Sequence, residues 1–92
     1  MEFEWDEAKR QRNLAKHDID FLDVRQLFDG RPLVTLRSPY PEEERYLSTG
    51  IIHGRFVTAI WTRRDTAIRI ISARRARDAE TRRHQALHGG RA

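Results

Sequence analysis

The sequence predicts an α+β domain with two N-terminal helices, a four-stranded antiparallel sheet and a C-terminal helix. Three observations carry that expectation. Up to Phe28 the apolar residues recur at helical spacing, and from Leu33 onward the period shortens to about 2. Beyond Leu33, the apolar runs are separated by His53-Gly54 and Arg64-Asp65, short polar pairs of the kind that close hairpins. The final stretch, Ala73 to Leu87, returns to strong helix formers.

The elements follow in order. Phe3 to Trp5 is a short extended start. Asp6 is suited to cap a helix through EAKRQRNLAKH, which contains no Gly or Pro. Its apolar face is only Ala8, Leu14 and Ala15, so it needs Trp5 or a partner to hold it down. Asp18 ends it, because Asp tolerates the left-handed conformation of a tight interhelical link. Asp20 opens the second helix, with Ile19 and Val24 as a hydrophobic staple and Phe21, Val24, Leu27 and Phe28 as a stripe that must be buried. Gly30 and Pro32 close it.

Four strands are expected at Leu33–Arg37, Arg45–Ile52, Arg55–Thr62 and Ala67–Ser72. The first two are joined by a loop with Pro39, Pro41 and the acidic run Glu42, Glu43 and Glu44. The third is apolar on both faces and reads as central; the fourth alternates, with Ile68 and Ile70 opposite Arg69. The last helix offers a meagre stripe of Ala76, Ala79, Ala86 and Leu87. One domain over residues 1–88 and a frayed tail over 89–92 complete the expected organisation.

A chain of 92 residues, 38% apolar and 35% charged, supports one small core that is marginal for an unassisted monomer. The absence of cysteine excludes disulfide scaffolds, zinc ribbons and thiol nucleophiles. No apolar segment has the length of a signal-peptide core or a bilayer span, so a cytoplasmic protein with no membrane partner is expected. Charge is uneven: residues 1–46 hold eight basic against eleven acidic residues, and residues 47–92 hold ten against three. The C-terminal half therefore seeks an anion, and its arginines suit phosphate.

Arg69, Arg74 and Arg75, with Arg45 from another strand, are placed to meet on one surface, and Arg77, Arg82 and Arg83 extend it. Such a cluster can stabilise a phosphoryl transition state, or it can simply hold nucleic acid as a solvated basic face. His17, beside Lys16, is suited to general acid or base work, but its place at a helix end equally suits a carbonyl cap. His84 and His88 stand one turn apart with no evident third ligand, so no metal is expected. Glu80 reads as an ion-pair partner of Arg77 or Arg83 rather than a base. No Gly-rich phosphate loop is present.

FEWDEAKRQRNLAKHDIDF (residues 3–21), ERYLSTG (44–50) and IRIISARRA (68–76) resemble the BrnT family of bacterial toxins, from type II toxin-antitoxin pairs and similar in fold to the RelE and ParE group. The resemblance implies a metal-independent endoribonuclease without cofactor that cleaves RNA and blocks translation. It also implies a BrnA-type antitoxin with a ribbon-helix-helix domain, operator DNA being met only through that complex. The matching positions are Trp5, Asp6, Asn13, Lys16, His17, Phe21, Arg45, Gly50, Arg69, Ser72, Ala73, Arg74, Ala76 and Glu80, of which Trp5, Phe21, Gly50, Ala73 and Ala76 read as structural. Asp18 stands where the family usually has Gly, and His84 near a usual Tyr. The catalytic set implied is His17, Lys16, Arg45, Arg69 and Arg74, with Arg75, Arg77, Arg82 and Arg83 binding RNA. A non-catalytic nucleic-acid-binding or repressor-partner module is the rival reading.

Overall fold

The computed structural model describes residues 1–39 and 43–89, so Pro41 and Glu42 of the expected acidic loop and residues 90–92 of the expected tail lie outside the described residues. The chain runs β1 (Glu2–Glu4), α1 (Glu7–His17), α2 (Phe21–Val24) leading into a 3-10 turn (Arg25–Phe28), β2 (Val34–Arg37), β3 (Arg45–Ile52), β4 (Arg55–Arg64), β5 (Ala67–Arg75) and α3 (Asp78–His88).

The α+β class holds, with two corrections to the sheet. It has five strands in the order β1-β5-β4-β3-β2, and it is mixed rather than antiparallel. The extended start at the N-terminus pairs in parallel with β5, Phe3 opposite Ile68 and Glu4 opposite Arg69. Three residues show no usable period. What fixes them is tertiary: the Phe3 ring packs 5.7 Å from that of Phe28. The other four strands form the expected antiparallel meander.

The local signals at the helix ends are realised. Asp6 accepts from Lys9 N at 3.0 Å. Asp18 adopts the left-handed conformation with φ 58°, and its N–H closes on Leu14 O at 2.9 Å. Asp20 accepts from Leu22 N at 2.9 Å. The second helix is shorter than expected because it tightens after Val24. Phe21, Val24 and Leu27 are spaced by three, which a 3-10 turn aligns on one side, and all three are at most 1% exposed.

Helix α1 buries only Asn13 and is tied down by polar contacts. Arg10 makes two 3.0 Å bonds to Asp20 and a further ion pair to Glu7, which holds the Arg10 guanidinium charged and the Glu7 carboxyl down at about 2. Trp5 meets Phe21 edge-on at 6.2 Å. Beneath these helices one sheet face supplies Ile52, Val57, Ala59, Trp61, Ile68, Ile70 and Ala73 to the core. Gly50 lies where a Cβ would stand 2.8 Å from Leu27 Cδ2 and 3.2 Å from Leu33 Cδ1. Gly50→Ala should therefore cost about 1 kcal/mol through overpacking, read as a lowered urea midpoint with unchanged slope.

The other departures lie around β5. The preceding turn is Asp65-Thr66, with Asp65 at φ 54°, so β4 continues to Arg64. Strand β5 runs on through Arg75, because Ala73, Arg74 and Arg75 keep partners on β4 and pairing outweighs the helix propensity of the segment. A bulge leaves Ile71 between the Trp61–Ile70 and Ile60–Ser72 pairs. It shifts the alternation by one, so the buried positions pass from Ile68 and Ile70 to Ala73. Helix α3 consequently begins at Asp78 instead of Ala73. Its expected apolar stripe is not what docks, since Leu87 is 66% exposed.

Candidate nucleic-acid interface

The strand register assigns the second sheet face. Arg45, Thr62 and Arg69 form one cross-strand row, Leu47, Ile60 and Ser72 the next, and Thr49, Thr58 and Arg74 the third. Arg45 and Arg69 sit two strands apart, about 10 Å between backbones. The structure thus brings Arg45, Arg69 and Arg74 onto one face, as expected. By the same alternation Arg75 belongs to the opposite face, and Arg77, Arg82 and Arg83 lie exposed at the start and along the side of α3.

Each of those three arginines already holds a carboxylate. Arg45 Nε is 2.8 Å from Glu43, and Arg69 Nη1 is 2.8 Å from Glu4 Oε2. Arg74 is bound most fully, in a fork-to-fork pair with Glu80 at 2.8 and 2.9 Å. Glu80 also accepts from Thr58 Oγ1 at 2.9 Å and from the Arg77 backbone N–H at 2.8 Å, and Thr58 in turn shares a 2.7 Å bond with Thr49. Glu80 therefore pairs with Arg74, and Arg77 contributes its backbone rather than its side chain. These donors, Arg74 foremost, pull the Glu80 carboxyl from 4.5 to about 2.

Helix α3 is held by polar anchors at i, i+4 and i+8. Glu80 is the first; His84 and His88 follow, each with Nε2 at 3.2 Å from a carbonyl oxygen, of Pro32 and Leu33 respectively. The depressed Glu80 carboxyl makes this docking acid-sensitive. Its contribution, on the order of 3 kcal/mol, is complete above about pH 4.5 and is lost as pH falls toward about 2. The melting temperature of Glu80→Gln should accordingly lie well below wild type near neutral pH and converge on it in that acid window.

A different arrangement surrounds α1. β1 covers the edge of β5 only at residues 67–69. Further along that edge Asn13 takes over: its Oδ1 accepts from Ala73 N at 3.1 Å and from Ser72 Oγ at 3.3 Å, and its Nδ2 donates to Ile19 O at 3.0 Å. This clamps α1 against the edge and leaves an open groove of about 300 Å³ lined by Lys9, Arg12, Asn13, Lys16, His17, Ile71 and Ser72. Among the described residues, no carboxylate lines it. His17 makes no hydrogen bond to the described residues, because the Asp18 N–H closes the helix and no imidazole cap forms.

The sequence singled out Lys16 and His17 but missed Lys9 and Arg12 as their neighbours. The signal was present, since Lys9, Arg12 and Lys16 at i, i+3 and i+7 share one helical face. The structure does not place Arg45 or Arg74 in this groove. Arg69 does not line it either.

Residues 5–80 match a family model described as the ribonuclease toxin, BrnT, of a type II toxin-antitoxin system. The chain belongs to the BrnT toxin family. No curated protein matches the sequence. Membership makes RNA the substrate and an antitoxin the partner. The BrnT match takes in β5, the whole α1 groove and the Arg74–Glu80 pair, and it ends before His84 and His88. Among the described residues, no helix is long and apolar enough to cross a membrane.

Proposed function

We propose that the α1–β5 groove cleaves single-stranded RNA without a metal, by attack of a 2′-hydroxyl on the adjacent phosphate. The observation that supports this reading is a groove in which an imidazole and three cations meet, with no carboxylate among the described residues that line it. In this reaction a base removes the 2′-hydroxyl proton, the O2′–P bond forms, the P–O5′ bond breaks, and the departing oxygen takes a proton. The products are a 2′,3′-cyclic phosphate and a 5′-hydroxyl. His17 carries one of the two proton transfers. Lys9, Arg12 and Lys16 offset the charge gathering on the phosphate oxygens. Arg69 and Arg45, on the neighbouring sheet face, guide the flanking RNA by exchanging a carboxylate for a phosphate. Arg74 serves the site by fixing α3 on the sheet, its fork being taken up by Glu80.

In the cell, this activity would block translation in the cytoplasm until a BrnA-type antitoxin, carrying a ribbon-helix-helix domain, covers the toxin. Operator DNA would be met only through that complex. The salt dependence of RNA binding tests where the RNA lies. Lys9, Arg12, Lys16, Arg45 and Arg69 together predict a log–log slope of roughly −3.5. Arg12→Ala and Lys16→Ala should each flatten it by about 0.7. Arg63, which stacks 5.8 Å from the Trp61 ring on the other sheet face, gives a control whose loss leaves the slope unchanged.

A further inference from the structure

The second sheet face carries another cavity, on the far side of the Arg74–Glu80 pair from α1. Val34, Leu36, Pro39 and Leu47 supply its apolar lining and Arg37, Glu80 and Arg83 its charged groups, around a space of about 200 Å³. That is below the range of roughly 300–1,000 Å³ typical of sites for drug-sized ligands, so it has room for a single ring system. We propose that this pocket receives one unstacked nucleobase bearing an exocyclic amino group, from the same RNA strand that the α1 groove cleaves. The proposal rests on RNA being the substrate.

The chemistry of the lining selects that occupant. Glu80 is an acceptor only. Its Oε1 is used by Arg74, Thr58 and the Arg77 backbone, whereas its Oε2 accepts a single bond, from Arg74 Nη2. A carboxylate oxygen with remaining capacity in the lining of a largely apolar slot calls for a neutral ring with an N–H₂ donor, as on adenine, cytosine or guanine. Uracil has no amino group: its N3–H lies between two carbonyl oxygens that the carboxylate repels. The apolar walls accept the faces of the ring, and Arg83, exposed on α3, meets the phosphate attached to it or stacks on the base. An aliphatic side chain from a protein partner would fill the slot but use neither the remaining capacity of Glu80 Oε2 nor the Arg83 guanidinium. Position agrees with chemistry, because Leu47 lies in the same cross-strand row as Ser72, which lines the α1 groove.

Two measurements on the intact protein test this. In the first, AMP, CMP, GMP and UMP are titrated into isotope-labelled wild type and the backbone amides are followed by NMR. The amides of Val34, Leu47 and Thr49 should move with the three amino-bearing nucleotides, and UMP should bind at least roughly 10-fold more weakly. Inorganic phosphate should leave the amides of Val34, Leu47 and Thr49 in place. In the second, cleavage sites are mapped on a mixed RNA for wild type and for Leu36→Trp, which blocks the mouth of the pocket at a position 44% exposed and tolerant of bulk. Wild type should show an amino-bearing base at a fixed position from the cut, and the variant should lose that preference.

Equal response to all four nucleotides, or pocket amides that stay still with every one of them, would overturn the proposal. Pocket amides that move only when the antitoxin is added would overturn it too, and assign the slot to a protein side chain. Cleavage without any base preference sinks the pocket and leaves the ribonuclease reading standing. Selective nucleotide binding in the pocket by a protein that cleaves nothing does the reverse.

Discussion

His17→Ala should lower the turnover of RNA cleavage by roughly 100- to 10,000-fold, the range over which a positioned proton-transfer group acts. The structure makes this a clean substitution. His17 is half-buried at the end of α1 but makes no hydrogen bond to the described residues, and the turn that follows it is closed by Asp18. Removing the imidazole therefore leaves the fold intact, and the melting temperature should stay within a few degrees of wild type. The loss should fall on kcat, with KM nearly unchanged, since Lys9, Arg12 and Lys16 still hold the phosphate. A variant that binds RNA normally and cleaves at the wild-type rate would remove His17 from the chemistry.

Arg74→Ala should be the most damaging of the arginine substitutions, and the damage should be to stability first. Arg74 and Glu80 have side chains 17% and 14% exposed. Deleting Arg74 leaves the largely buried Glu80 carboxylate without its cation, at a cost of about 3 kcal/mol. For a domain of this size that lowers the melting temperature by roughly 12–24 °C. Glu80→Ala made together with Arg74→Ala should recover part of the loss, and a double-mutant cycle should return a coupling of about 1–3 kcal/mol. Arg69→Ala should differ, because Glu4 is more exposed and the remaining carboxylate reaches water. If Arg74→Ala melted as wild type does, Arg74 would be released from its anchoring role and returned to the phosphate.

Most of the element types were legible because their determinants are local. Asp6, Asp18 and Asp20 mark helix ends by chemistry contained within four residues, and His53-Gly54 marks a hairpin in the same way. The misses are long-range. β1 exists because residues 2–4 lie against residues 67–69, a pairing that no window of sequence contains. β5 outlasts its expected end because β4 is there to pair with it. The same division runs through the site. Lys16 and His17 were readable as neighbours on a helix end. The carboxylate on Arg69 comes from 65 residues away, and the groove itself depends on Asn13 meeting a strand edge 60 residues on. Glu80 was readable as a paired acid but not with the right arginine, since the helix was expected to begin before Arg74 and in fact begins after it.

The central claim, that this groove cleaves RNA through the 2′-hydroxyl without a metal, is tested most directly by the ends it leaves. Labelled single-stranded RNA is incubated with purified protein in excess EDTA, with and without translating ribosomes, and the new 3′ termini are identified. The account predicts discrete products ending in 2′,3′-cyclic phosphate, formed undiminished in EDTA. Cleavage that stops in EDTA, or that leaves 3′-hydroxyl ends, would contradict it.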